Sequence, residues 1–141
     1  MCEARRELEI TVRTDEPNDM SAIGILDHYP DVEVLARRSY CDREGAVLLL
    51  VPTDIERALG VLEAAGFRCG TNPIILVGPL YGAALAAPIG TGLAILGIEV
   101  LYSYTSRMGH GRDYLVFKTS DDDQAIRMIE QSLAVRRQRA A

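Results

Sequence analysis

A chain of 141 residues, 48% apolar and 25% charged, is long enough to bury a core without a covalent staple. Its formal charge of −5 argues against a constitutive nucleic-acid surface, which needs a basic face. The one basic run, Arg136, Arg137 and Arg139, reads as a solvated helix end.

In chain order, Leu8-Glu9-Ile10-Thr11-Val12 alternates apolar and polar residues and predicts a half-buried strand. Thr14–Asn18 is a turn cluster, with Pro17 placed to start a helix whose apolar face is Met20, Ile23 and Leu26, ending near Tyr29-Pro30. Val32, Val34 and Ala36 mark a second strand, Cys41–Gly45 a hairpin, and Ala46–Val51 a third strand apolar on both faces. Thr53–Ala65 predicts a helix with Ile55, Ala58, Leu59 and Leu62 inward, and Gly66 sits where a left-handed C-cap belongs. Arg68 and Cys69 can begin a fourth strand.

A second pass begins at Pro73, with Ile74–Val77 as a strand ended by Gly78-Pro79. Leu85, Ile89, Leu93 and Leu96 share a helical face. Pro88 is tolerated there only in the first turn, so the helix should start near Leu85 or Ala86 after a long loop, Gly78–Ala84. Ile98–Tyr104 reads as a strand, Arg107–Gly111 as a hairpin, Tyr114–Phe117 as a strand and Ser120–Val135 as the last helix.

The two passes repeat at a period of about 67 residues. Thr53 falls over Ser120, Asp54 over Asp121, Ala58 over Ala125, Leu59 over Ile126 and Leu62 over Ile129. Each copy places a hydroxyl and a carboxylate where a buried strand gives way to a helix, which caps the first amides and suits the positive end of the dipole. The expected architecture is α+β: two ferredoxin-like βαββαβ units, residues 1–70 and 71–141, each an antiparallel sheet with helices on one face. One such sheet alone leaves a face and its edges open, which gives two copies a reason to associate.

The stretch GIEVLYSYTSRMGHGRDYLVFKTSDDDQAIRMI resembles the pattern of ACT regulatory domains: Gly-Ile, an aromatic-rich strand, a Ser-Arg-x-Gly hairpin, an apolar strand and Asp-x-x-x-Ala. The likeness extends over roughly Leu8–Leu133 and is to stand-alone tandem ACT-domain proteins. It implies a non-catalytic sensor of an amino acid or similar small carboxylate, without a cofactor, acting as a homodimer and regulating an enzyme it does not identify. It further implies a ligand held where the loop after each unit's first strand meets another unit, with loop and helix amides on the carboxylate. Transferred to this chain, the first loop supplies Asp15, Asn18 and Asp19, with Asn18 where the family has Gly. The second supplies Leu80, Tyr81 and Gly82 and lacks the acidic residue and the Pro-Gly pair. Tyr102 and Tyr104 are candidate walls. Gly78, Gly82, Gly90 and Gly92 would serve either close approach of a ligand or tight packing.

The remaining chemistry-bearing residues read as structural. His28 and His110 have no companion at metal-ligand spacing. Asp121, Asp122 and Asp123 suit a helix start better than a cation. Cys2, Cys41 and Cys69 are odd in number without CxxC spacing, which points to free thiols in a reducing compartment. The polar start MCEARRE has no apolar signal core, and Gly and Pro interrupt Leu80–Leu96, so the expectation is a soluble, cytoplasmic protein with no membrane contact. Competing readings are an assembly module without a ligand and, more remotely, an RNA-binding ferredoxin-like domain, because Gly111–Phe117 partly follows an RNP1 pattern and fails at Arg112 and Asp113. An enzyme built on duplicated metal-binding units lacks the histidines and paired glutamates it needs.

Overall fold

The structure, a computed structural model, describes residues 2–14, 20–80, 86–107 and 112–140. Among them the chain forms β1 (Glu3–Thr14), α1 (Met20–Asp27), β2 (Val34–Asp42), β3 (Gly45–Pro52), α2 (Ile55–Ala64), β4 (Arg68–Leu80), α3 (Ala86–Ile95), β5 (Val100–Arg107), β6 (Asp113–Thr119) and α4 (Asp122–Ala140). They make two compact units, one of Leu8–Asn72 and one of Pro73–Ala141 together with Met1–Glu7.

In the first unit the strand order is β2-β3-β1-β4; in the second it is β5-β6-β4-β1. Counted from each unit's own first strand, both are 2-3-1-4, the ferredoxin-like order. β3 pairs antiparallel with β1 and β2, and β6 with β4 and β5. The second unit draws its outer strand from the start of the chain. No strand follows α4 among the described residues, and Glu3–Glu7 takes that slot. Ala4 is buried in the second unit's core, and its amide donates to Glu130 Oε1 of α4 at 2.6 Å. Chain order alone had placed these residues in the first unit.

Each sheet packs both its helices on one face. In the first unit Ile10, Val12, Leu48 and Leu50 meet Ala22, Ile23 and Leu26 of α1 and Ala58 and Leu62 of α2. In the second, Ile75, Val77, Leu115 and Phe117 meet Ile89 and Leu93 of α3 and Ala125, Ile129 and Leu133 of α4. Fully buried Leu and Ile side chains contribute about 1.5–3 kcal/mol each. The alternate positions Val47, Leu49 and Val51, and likewise Ile74, Leu76 and Val116, are also buried. The continuous apolar runs therefore belong to strands covered on both faces.

The repeat is reproduced atom by atom where strands give way to α2 and α4. Thr53 N donates to Glu33 O at 2.8 Å, and Thr53 Oγ1 accepts from Glu33 N at 3.1 Å. Ser120 N and Glu99 O, at 2.9 Å, and Glu99 N and Ser120 Oγ, at 2.9 Å, repeat the exchange. Asp54 Oδ1 then accepts from Arg57 N and Asp121 Oδ1 from Gln124 N, both at 3.1 Å. Gly66 (φ 93°) ends α2 with Phe67 N on Leu62 O, and Gly97 (φ 76°) ends α3 with Ile98 N on Leu93 O. A left-handed turn at these sites is natural only for Gly.

Several elements outrun their sequence patterns. β1 begins five residues before Leu8, and α4 continues five beyond Val135. Arg68 to Val77 is one strand rather than two, because Gly70-Thr71-Asn72-Pro73 stays extended. α3 begins at Ala86, which puts Pro88 in its first turn as the sequence requires. The expected loop 78–84 and hairpin 107–111 lie partly outside the described residues.

Asp122 at the start of α4 accepts from Thr119 Oγ1 at 2.6 Å and from Thr119 N and Lys118 Nζ, each at 3.2 Å. Burial alone would raise its carboxyl, but the Thr119 hydroxyl and Lys118 ammonium outweigh it and hold the group below the usual carboxylate value. Its contribution is therefore complete above about pH 4 and is lost as the pH falls through the lowered folded-state value. Denaturant titrations from pH 7 to pH 2 should show acid destabilisation that Asp122→Asn reduces. The duplicated caps make a second expectation: Asp54→Ala and Asp121→Ala should each cost about 1 kcal/mol in urea unfolding.

Candidate functional site

The segments after each unit's first strand are 15–19, between β1 and α1, and 81–85, between β4 and α3. Asp15, Asn18, Asp19, Tyr81 and Gly82 lie in them, outside the described residues. The flanking elements are described. α1 and α3 have no acidic residue in their first turns, whereas α2 carries Glu56 there and α4 carries Asp122 and Asp123.

The three described candidates do not converge. Leu80 ends β4 inside the helix-side core with Ile89 and Leu93, only 7% exposed. Tyr104 pairs with Val116 on β6, and the helix-side residues of that strand are its neighbours Leu115 and Phe117. Side chains alternate along a strand, so Tyr104 stands on the face away from α3 and α4. Tyr102 stands two residues earlier on that face, half-buried, with Tyr104 8% exposed. Leu80 and the two tyrosines thus belong to opposite faces of one sheet.

β4 approaches segment 81–85 through an irregular end. The register with β6 shifts between Val77 and Leu80, and the Gly78-Pro79 peptide is cis. Gly78 is required here by close approach: a Cβ would come 2.5 Å from Tyr114 Cδ1 and 3.0 Å from Asp113 O. Gly92 packs against Met128 in the same way, at 3.1 Å, while a Cβ at Gly90 would meet nothing within 4 Å. Of the glycines read as serving either ligand approach or packing, Gly78 and Gly92 serve packing.

A concavity of about 580 Å³ lies elsewhere, on the outer helix surface of the first unit, lined by Tyr29, Asp54, Glu56, Arg57, Gly60, Val61 and Ala64. Arg57 fills part of its rim, 5.1 Å from the Tyr29 ring centroid and 3.0 Å from Asp31. The ion pair is solvent-exposed and of little energetic weight. No sequence pattern marked this hollow, since Tyr29 and Arg57 meet only once α1 and α2 pack.

Among the described residues no three His, Cys, Asp or Glu side chains are grouped to hold a metal ion. Burial pushes the Cys2 and Cys69 thiols up, which keeps them protonated and poorly nucleophilic. Among the described residues no helix is long and apolar enough to cross a membrane.

No family model matches the chain, and no curated protein matches it by sequence. Solved structures match it throughout. A Bacteroides thetaiotaomicron protein superposes with a TM-score of 0.70 at 14% identity, covering 93% of this chain and 90% of that one. The regulatory subunit of aspartate kinase from Thermus thermophilus, in ligand-free form, superposes with a TM-score of 0.61 at 11% identity, covering 89% and 91%. The corresponding subunit from Thermus flavus gives 0.56 at 13%, covering 94% and 96%. At these identities the likeness is one of fold: the chain shares an α+β, ferredoxin-like architecture with these proteins.

Gly78→Ala should destabilise the second unit by about 1–3 kcal/mol, because Tyr114 and the Asp113 carbonyl must give way. Gly90→Ala, with open space, should instead be neutral or slightly stabilising. Urea denaturation of the two variants checks the contrast.

Proposed function

We propose that this protein is a non-catalytic regulatory sensor built from two ACT-type units, binding an amino acid or a similar small carboxylate and relaying its presence to a partner enzyme. The observation that carries the reading is the fold match along nearly the full length of both chains with the aspartate kinase regulatory subunits. The helix starts lend chemical support. α2 and α4 bring their own carboxylates to their N-termini, whereas the first turns of α1 and α3 bring none. Only α3 also lacks an acidic residue in the segment before it, and such an N-terminus favours an external anion.

Segment 81–85 and the start of α3 contain no acidic residue at all, which suits a ligand carboxylate. Segment 15–19 carries Asp15, Glu16 and Asp19, which suit an ammonium group, with Asn18 as a neutral donor. The binding residues in this reading are Asp15, Asn18, Asp19, Tyr81 and Gly82. Leu80 contributes through backbone alone, its side chain being committed to the core.

A thermal-shift panel of the twenty amino acids and common metabolic carboxylates tests the proposal. Ligand at 100 times its Kd should stabilise the protein by about 2.7 kcal/mol per site. The shift should disappear in Asn18→Ala or Gly82→Val. A flat panel, or a shift that both variants retain, contradicts it.

A further inference from the structure

The repeat preserves the inward face of α2 and α4 and abandons the outer one. Ala58 and Leu62 keep apolar counterparts in Ala125 and Ile129, whereas Arg57, Gly60 and Ala64 fall over Gln124, Arg127 and Gln131. Gly60 is costly where it stands. It lies inside α2, where glycine is about 1 kcal/mol less favourable than alanine. A Cβ there would meet nothing within 4 Å, and its φ is not positive, so neither packing nor a left-handed turn asks for glycine. What Gly60 does provide, with Ala64 one turn on, is bare helix surface in the lining of the 580 Å³ hollow.

That hollow already holds a guanidinium, supplied by its own chain. Arg57 lies 5.1 Å from the Tyr29 ring centroid, and its Nε donates to Asp31 Oδ2 at 3.0 Å. An aromatic face together with a carboxylate is the setting that suits a guanidinium. Tyr29 is half-buried and packs against the first unit's core, which fixes the ring in place. Arg57 is held less firmly, because its ion pair is exposed on both sides and such a pair contributes little. Asp54 and Glu56 belong to the same lining, so with Asp31 three carboxylates surround one cation.

We propose that this hollow receives an arginine side chain from a basic segment of a partner protein. The incoming guanidinium takes the Tyr29 face and the Asp31 carboxylate as Arg57 swings aside, and Glu56 adds a further acceptor. Gly60 and Ala64 let the partner's backbone come close. The excess of carboxylates selects a cation, and the ring selects a planar guanidinium over a lysine ammonium. A free amino acid brings a carboxylate of its own, which the same acids repel, so the hollow is a docking surface and not a second metabolite site. The inference rests on the sensor reading only in taking that partner to be the regulated enzyme. The two fail separately, because the metabolite panel tests the loops and leaves this hollow untested.

Amide-resolved NMR titration of the full chain with an acetylated, amidated Gly-Ser-Arg-Arg-Ser-Gly peptide tests the proposal, with the Lys-Lys peptide as comparison. Saturable shifts should centre on Tyr29, Arg57 and Gly60, and the lysine peptide should bind about fivefold more weakly or worse. Glu56→Gln should raise the Kd about fivefold. Gly60→Gln fills the hollow without altering charge and favours the helix, so it should raise the Kd about tenfold with the fold intact by circular dichroism. Arg57→Ala removes the internal competitor and should lower the Kd. Absence of shifts at the hollow, equal affinity for the lysine peptide, wild-type binding by Gly60→Gln, or loss of binding in Arg57→Ala overturns the proposal.

Discussion

Two hydrogen bonds exchanged between a hydroxyl residue and a glutamate backbone, made once in each unit, hold this architecture together. Thr53 with Glu33, and Ser120 with Glu99, fasten the end of a buried strand to the entry of the neighbouring edge strand at the point where the chain turns into a helix. The backbone there leaves a sheet ladder before the first helical bonds begin, and its polar groups need partners. The hydroxyl provides one, and Asp54 or Asp121 next in sequence provides another. With that corner secured, Ala58 and Leu62, or Ala125 and Ile129, are aimed at the sheet, and the helix-side core follows.

The same economy separates the helices by role. α2 and α4 are anchored by their own carboxylates and are structural at their N-termini. α1 and α3 follow the segments after each unit's first strand and begin without a charge in the first turn. α3 has Thr91 as its single polar side chain and buries Ile89 and Leu93. Its sequence is not optimised for an amphipathic surface helix, in which the solvent face is charged. This division, two helices with carboxylates in their first turns and two without, is the physical basis of the sensor reading.

Local features were legible in the sequence; features that depend on a distant partner were not. The period aligning Thr53 with Ser120 could be read because capping chemistry acts within a few residues. The Gly66 C-cap and the place of Pro88 followed from backbone geometry alone. The strand at Glu3–Glu7 was hidden because Glu3, Arg5 and Glu7 make it look like a polar leader; only Ala4 is fully buried, against residues more than 70 positions away. Gly70–Pro73 resembled a break, yet β4 runs through it extended, and its register with β6 is taken up at Ile75, beyond the proline. Leu80 was read as loop because Gly78-Pro79 precedes it, and the register shift that returns it to the core is invisible in one dimension. Tyr102 and Tyr104 could be placed on one face by alternation, but not on which face.

Amide-resolved NMR titration with the amino acids tests the central claim most directly, because it reports where a ligand acts as well as whether it binds. The account predicts saturable shifts concentrated in residues 15–20 and 81–87, with the Tyr29, Arg57 and Gly60 hollow unaffected. Shifts confined to that hollow, or none at millimolar ligand, would contradict the reading of these loops as the binding site.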